Sequence, residues 1–164
     1  MSDASKDLVR RHFEEIWNER NLDACDELMA EDFTENAAAP FAPSAPGKVH
    51  GPSAMRATVE WLVSQFPDIH MEIESIIAER DVVAARVLST GTNLGTADGG
   101  PPPTGKAFAA RQSHWFRIAD RQLVEHWSTR DDLSTMLQLG LIQPPGPARP
   151  SPAAARSPAT RATT

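Results

Sequence analysis

The sequence predicts an α+β fold: a cone-shaped, strongly curved antiparallel sheet with three to four helices enclosing a pocket. Apolar residues recur at helical spacing as far as Phe66, they alternate at every second position from Ile69 to Ser128, and glycine and proline punctuate the junctions. Helices placed ahead of antiparallel strands pack on the concave face of such a sheet, and the cone leaves a cavity. The 164 residues are one domain's worth, enough to bury a single core.

Val9, Phe13, Ile16 and Trp17 fall at i, i+4, i+7 and i+8, so residues ~5 to 19 read as an amphipathic helix. Asn21 either ends it or caps the next, in which Leu22, Cys25, Leu28 and Met29 share a face and Asp23 occupies the first turn. Asp32-Phe33-Thr34-Glu35-Asn36 reads as a short strand, followed by an irregular Ala/Pro stretch from Ala37 to Val49. Gly51-Pro52-Ser53 opens a third helix, because proline is tolerated where the amide would be unpaired anyway. Met55, Val59, Leu62, Val63 and Phe66 supply its apolar stripe, and Pro67 stops it.

Ile69, Met71 and Ile73 alternate with His70, Glu72 and Glu74, and Glu79-Arg80-Asp81 separates this run from Val82 to Leu88, which predicts a long hairpin. After a Gly/Pro loop from Gly95, Lys106 to Ile118 alternates again, and Ala119-Asp120-Arg121-Gln122 turns the chain into Leu123 to Ser128. A short helix carrying Leu133, Met136, Leu137 and Leu139 closes the domain at Gly140. Residues 1–143 form the folded unit. Residues 144–164 are a Pro/Ala/Arg-rich tail, expected to be disordered because Pro144, Pro145, Pro147, Pro150, Pro152 and Pro158 leave no apolar face to offset ordering entropy.

The formal charge is −6, and the tail adds Arg149, Arg156 and Arg161 without an acid, so the body is more acidic still. Such a surface repels a polyphosphate and argues against nucleic acid as a partner. The lone Cys25 can form neither an internal disulfide nor a paired-thiol site, and its helical spacing marks it as a buried, inert thiol. The amino terminus lacks the basic start and apolar run of a signal peptide, and no apolar stretch approaches a membrane span, so a cytoplasmic protein is expected.

Chemistry concentrates in Pro101-Pro102-Pro103-Thr104-Gly105-Lys106, in Arg111 to Ile118, and in Leu123-Val124-Glu125-His126-Trp127. The Gly/Pro loop is no phosphate cradle, since it lacks both a following helix start and a GK[ST] ending. His114 alternates with Phe108, Phe116 and Ile118 and so faces the apolar side, where burial holds an imidazole neutral. For His126 parity decides. A two-residue Asp120-Arg121 loop places Trp127 opposite His114, whereas a bulge moves His126 and Ser128 onto the His114 face. Asp131 either caps the last helix or acts as an acid, and Asn36 is either turn chemistry or a polar pocket residue. Trp17, Trp61 and Trp127 are core plates or ligand contacts, as is Phe116. Arg111, Trp115 and Val87 are expected on the outer face of the sheet.

The order helix, helix, short strand, His50-Gly51-Pro52-Ser53-Ala54-Met55, Phe66-Pro67-Asp68, two strands, Gly/Pro loop, Glu125-His126-Trp127 and Gln138-Leu139-Gly140 resembles the SnoaL-like polyketide cyclases of the nuclear transport factor 2-like superfamily. The resemblance covers roughly residues 6 to 141, and Pro102 to Lys106 with Glu125-His126-Trp127 are its most specific pieces. It implies a deep apolar pocket for a hydrophobic small molecule, no metal, no cofactor, and a homodimer packed through the sheet. It also implies a place in antibiotic-type secondary metabolism, with an intramolecular aldol ring closure driven by a pocket aspartate. His114 matches a pocket histidine of the family and Asp131 a common acidic position. The aspartate position itself is Ser128, a group with no useful pKa near neutrality. Two readings follow. One is an enzyme performing acid/base cyclisation or isomerisation with His114, Asp131 and His126, or a hydroxylating or epoxide-opening relative. The other is a non-catalytic ligand-binding or accessory module. A carboxylate from Asp131 or Glu35 within hydrogen-bond reach of the pocket separates them.

Overall fold

The alternating second half of the chain becomes one twisted sheet. The computed structural model describes residues 2–36, 49–95, 97–144 and 146. Its strands are β1 (Met29–Glu35), β2 (Val49–His50), β3 (His70–Glu79), β4 (Val82–Thr92), β5 (Ala107–Ala119) and β6 (Gln122–Arg130). They lie in the order β2-β1-β6-β5-β4-β3. The helices are α1 (Ser2–Arg11), running directly into a π-helical segment (His12–Asn18), then α2 (Ala24–Leu28), α3 (Gly51–Gln65) and α4 (Asp132–Gln138). The α+β class and the curved sheet covered by four helices agree with the sequence expectation. The wholly antiparallel pairing does not: β1 runs parallel to β6, the return between them being made through α3 and the β3–β5 meander.

Side-chain alternation sorts the two faces. Val83, Ala85, Val87 and Ser89 of β4 and Phe108, Ala110, His114 and Phe116 of β5 are buried on the inner face. Val87, expected outside, is fully buried because it pairs with Gln112 on that inner row. Trp115, Arg111 and Arg117 point to the outer face and are exposed. Val9, Phe13, Ile16 and Trp17 complete the core from the first helical segment, with Met55, Val59 and Leu62 from α3. Full burial of each large side chain, Phe13 and Phe33 among them, contributes about 1.5–3 kcal/mol. Cys25 is buried as expected, and burial pushes its thiol up to about 11.

Local departures from the sequence reading have local causes. Met29 leaves α2 in an extended conformation and starts β1, so that strand begins before Asp32. The π-helical segment ends in Asn18, whose side-chain amide donates to the Met71 carbonyl at 3.0 Å and accepts from the Met71 amide at 2.9 Å, satisfying the edge of β3. Gly51 takes φ 76°, and a Cβ there would stand 2.8 Å from the Glu31 carbonyl oxygen.

The Gly/Pro loop is held by two fully buried amides rather than by packing of its own. Gln65 Nε2 donates to Asn93 Oδ1 and, at 3.0 Å, to the Pro101 carbonyl, and Asn93 Nδ2 donates to the Pro102 carbonyl at 3.0 Å. Most of the Ala/Pro stretch (37–48) and all of the proposed tail except Pro144 and Gly146 lie outside the described residues.

The register between β5 and β6 answers the parity question. The connection is a two-residue turn with Asp120 at φ 49° and Arg121 at φ 62°, the backbone of a tight hairpin. Ile118 then pairs with Leu123 but Arg117 pairs with Glu125, so Val124 is an extra, bulged residue. Beyond it His114 faces Ser128, Phe116 faces His126 and Trp115 faces Trp127. Deleting Val124 removes only the surplus residue, so the strands should pair flush with Arg117 still opposite Glu125, Phe116 opposite His126 and His114 opposite Ser128. The expected outcome is a folded protein in which cross-strand nuclear Overhauser contacts between His114 and Ser128 persist; their transfer to Trp127 would show that the turn, not the bulge, sets the pairing.

Candidate active site

The bulge brings His126 and Ser128 to the inner face already occupied by Gln112, His114 and Phe116, and the parallel β1 lays Glu35 beside His126. The result is a continuous line of hydrogen bonds. Glu35 Oε2 lies 2.6 Å from His126 Nδ1, His126 Nε2 lies 3.0 Å from His114 Nδ1, and His114 Nε2 lies 2.9 Å from Gln112 Oε1. The two imidazoles are within 6° of parallel, and Phe116 stacks on His126 with centroids 4.4 Å apart. His114, His126 and Glu35 are all buried.

Two proton arrangements satisfy this line. In the first, His126 Nδ1–H donates to the Glu35 carboxylate and His114 Nδ1–H donates to His126 Nε2, leaving His114 Nε2 a lone pair that a rotated Gln112 amide meets with its N–H. In the second, His126 carries both protons beside the carboxylate, and His114 accepts at Nδ1 while its Nε2–H donates to Gln112 Oε1. The arrangements differ by one proton and a rotation of the amide. Burial holds His114 well below the ordinary imidazole range, with further lowering by His126, His12 and Arg130, so in both arrangements His114 is neutral.

From the sequence, Glu35 is a carboxylate whose reach to the pocket favours the enzyme, and it belongs to this line; Gln112 belongs to it without having stood among the candidates. Gln112 was visible as the same-face neighbour two positions before His114; Glu35 needed the parallel β1 pairing. A third histidine, His12, is buried against Phe13 and Phe116, and burial holds it at about 3.

The other candidates are dispersed. Ser128 sits opposite His114, but its Oγ accepts from Arg130 Nη1 at 3.1 Å, and Arg130 also pairs with Asp132. Asp131 is exposed and caps α4, its carboxylate accepting from the Ser134 amide at 3.0 Å, so a place beside the histidines is corrected. Trp127 stands on the outer face, 37% exposed, because the bulge sends it there with Trp115. Trp61 of α3 donates to the Asp98 carbonyl at 2.8 Å and so ties α3 to the Gly/Pro loop. Asn36 Nδ2 donates to Glu125 Oε1 at 2.9 Å, and its backbone amide donates to the His126 carbonyl at 2.9 Å. Trp17 is buried with its indole on His12, and Phe116 is fully buried against His126. Among the described residues no group of three or more His, Cys, Asp or Glu is arranged to hold a metal ion. No helix among them is long and apolar enough to cross a membrane.

A curved sheet closed by helices over a histidine-bearing inner face defines a nuclear transport factor 2-like domain. The SnoaL-like polyketide cyclase profile matches residues 7–139, and the chain belongs to that family. Among solved structures it is similar to IdmH, a candidate polyketide cyclase from Streptomyces antibioticus, at 26% identity over 83% of this chain and 98% of that one, TM-score 0.71. A candidate polyketide cyclase from Acidithiobacillus ferrooxidans matches at 25% identity over 84% and 95%, TM-score 0.72. AclR, a candidate hydroxylase from Streptomyces galilaeus, matches at 25% identity over 85% and 97%, TM-score 0.66. No curated protein sequence matches the chain.

The buried imidazoles make a pH prediction. Below the ordinary value of 6.5 the unfolded chain binds protons on His12 and His114 that the folded chain refuses, so stability is complete above about pH 6.5 and falls as pH drops toward about 3. Urea midpoints measured between about pH 7 and about pH 4 should decline with acidification, and His114→Phe should make the decline shallower.

Proposed function

We propose that this protein is an acid/base enzyme of secondary metabolism that cyclises or isomerises a hydrophobic, polyketide-like ketone or ester, with His114 exchanging the proton and His126 and Glu35 taking the charge. The observation that carries this reading is the unbroken line from Glu35 through His126 to His114. A solitary buried imidazole is a poor base because the imidazolium it would form is desolvated. The line removes that obstacle. As His114 Nε2 takes a proton from the carbon next to a substrate carbonyl, its Nδ1 proton passes to His126 Nε2, and the positive charge comes to rest beside the Glu35 carboxylate. The enolate forms its new bond at a second carbonyl, and the resulting alkoxide takes the proton back through the same line. Gln112 occupies His114 Nε2 until the substrate displaces it. Ser128, held by Arg130, is left as a wall of the site rather than its acid.

The second reading, a ligand-binding module, draws on Ser128 at the family's aspartate position. The two separate in one experiment on a tricyclic β-keto methyl ester. His114→Ala and Glu35→Gln should each lower kcat by about two to four orders of magnitude. Asp131→Ala should leave the rate and cost about 0.5–2 kcal/mol of stability as a lost helix cap. If wild type turns the ester over no faster than buffer, the module reading replaces the enzyme; if wild type is active and His114→Ala and Glu35→Gln match it, the acid/base groups lie elsewhere.

The outer face supports a homodimer. Ile77, Trp115 and Trp127 are 69%, 45% and 37% exposed, and with Val82 and Ala84 they border a concavity of about 640 Å³. Exposed apolar area of this kind on a sheet marks an interface. Sedimentation should find a dimer at micromolar concentration, and a Trp115→Glu, Trp127→Glu double variant should sediment as a folded monomer.

A further inference from the structure

Three histidines share the interior, and the proton line uses two. The third, His12, is 2% exposed, with its ring centroid 5.0 Å from Phe116 and 6.4 Å from His126. Phe13 packs edge-on against both His12 and His114, at 5.0 and 5.1 Å. All of these rings therefore belong to one layer beneath the sheet.

His12 opens the π-helical segment, and that placement has a chemical result. In an α-helix a residue five positions on is turned by about 140° from the first and cannot reach it. The wider i→i+5 turn brings Trp17 round to the same side, where its indole N–H donates to His12 Nε2 at 3.2 Å. Nε2 is thereby the acceptor, so the ring proton of the neutral imidazole sits on Nδ1. Among the described residues Nδ1 has no hydrogen-bond partner. A buried donor left without an acceptor costs about 1–3 kcal/mol. Here the fold orients such a donor with a second side chain on an irregular turn, and π-turns of this kind recur at functional sites.

We infer that His12 Nδ1–H is the electrophilic donor of the site, binding the carbonyl oxygen of the ligand whose neighbouring carbon gives its proton to His114. This rests on the acid/base reading above and assigns it the partner it needs, since an enolate forms only where its oxygen is stabilised. Burial, with His126 nearby, keeps His12 neutral down to about pH 3, so it cannot compete as a base and its N–H is present throughout the working range. A neutral imidazole in a desolvated setting donates without carrying a charge that the interior would resist.

The test uses the bicyclic ketone α-tetralone and its oxygen-free counterpart tetralin. With wild type, the infrared carbonyl band of bound α-tetralone should move to lower frequency, and the Nδ1–H proton of His12, read in histidine-¹⁵N-labelled protein, should shift downfield with α-tetralone and stay in place with tetralin. In His12→Phe, which keeps an aromatic ring in the layer, the preference for α-tetralone over tetralin should fall by about 3- to 10-fold. An unmoved Nδ1–H signal that exchanges with water overturns the inference, the acceptor then being a buried water. So does an unchanged preference in His12→Phe. The Nδ1–H measurement is made on wild type and holds even if His12→Phe fails to fold. Should the Nδ1–H respond while His114→Ala leaves ester turnover intact, the donor stands and the acid/base reading falls. Wild type that binds neither compound overturns the inference, while the acid/base reading stands or falls on ester turnover.

Discussion

One bulged residue, Val124, decides which side chains of β6 line the interior of this molecule. A strand alternates strictly, so the choice of which side chains line the interior is made once and propagates along the rest of β6. With Val124 bulged, the inward row is His126, Ser128 and Arg130; with Val124 paired flush to Arg117, Glu125 and Trp127 would point inward and the two histidines would lie on opposite faces of the sheet. The bulge also lets a tight two-residue turn coexist with that row, and the left-handed backbone at Asp120 and Arg121 sets the start of the pairing. Fold and site thus meet at a single insertion in a ladder.

The parallel placement of β1 is the second determinant. It lays the Glu35 carboxyl group beside His126. Glu35 stands on the far side of His126 from His114, while Ser128 stands directly opposite His114. Position 128 meanwhile has become the acceptor of Arg130, a cation that further discourages charge on His114. Two stacked imidazoles between Glu35 and Gln112 distinguish this interior.

Much of this was legible in the residues. The helical stripe of Val9, Phe13, Ile16 and Trp17, the Gly51-Pro52 helix start and the period-two rows of β3 to β6 each follow from local spacing, which local interactions enforce. The inward face of His114 followed from the same period. What was not legible depended on pairing between distant segments or on irregular backbone. No local pattern announces that Val124 is bulged, that β1 runs parallel to β6, or that Glu35 ends beside His126. The π-helical turn places His12 off the apolar stripe of an ordinary helix, so a periodicity of 3.6 passes over it. Asp131 was readable as a cap from its position before Leu133, and Trp127 could be assigned a face only after the register was known.

The indoles give the molecule a built-in optical record. With four tryptophans and no tyrosine, its near-ultraviolet emission comes from indoles alone. Trp17 is buried against His12, Trp61 is tied to the Asp98 carbonyl, and Trp115 and Trp127 face each other across two strands on the open side of the sheet. Light absorbed by that outer pair is emitted from a wet environment, and light absorbed by Trp17 from a dry one beside an imidazole. Emission colour therefore separates events on the two sides of a sheet one residue thick, without any label being added.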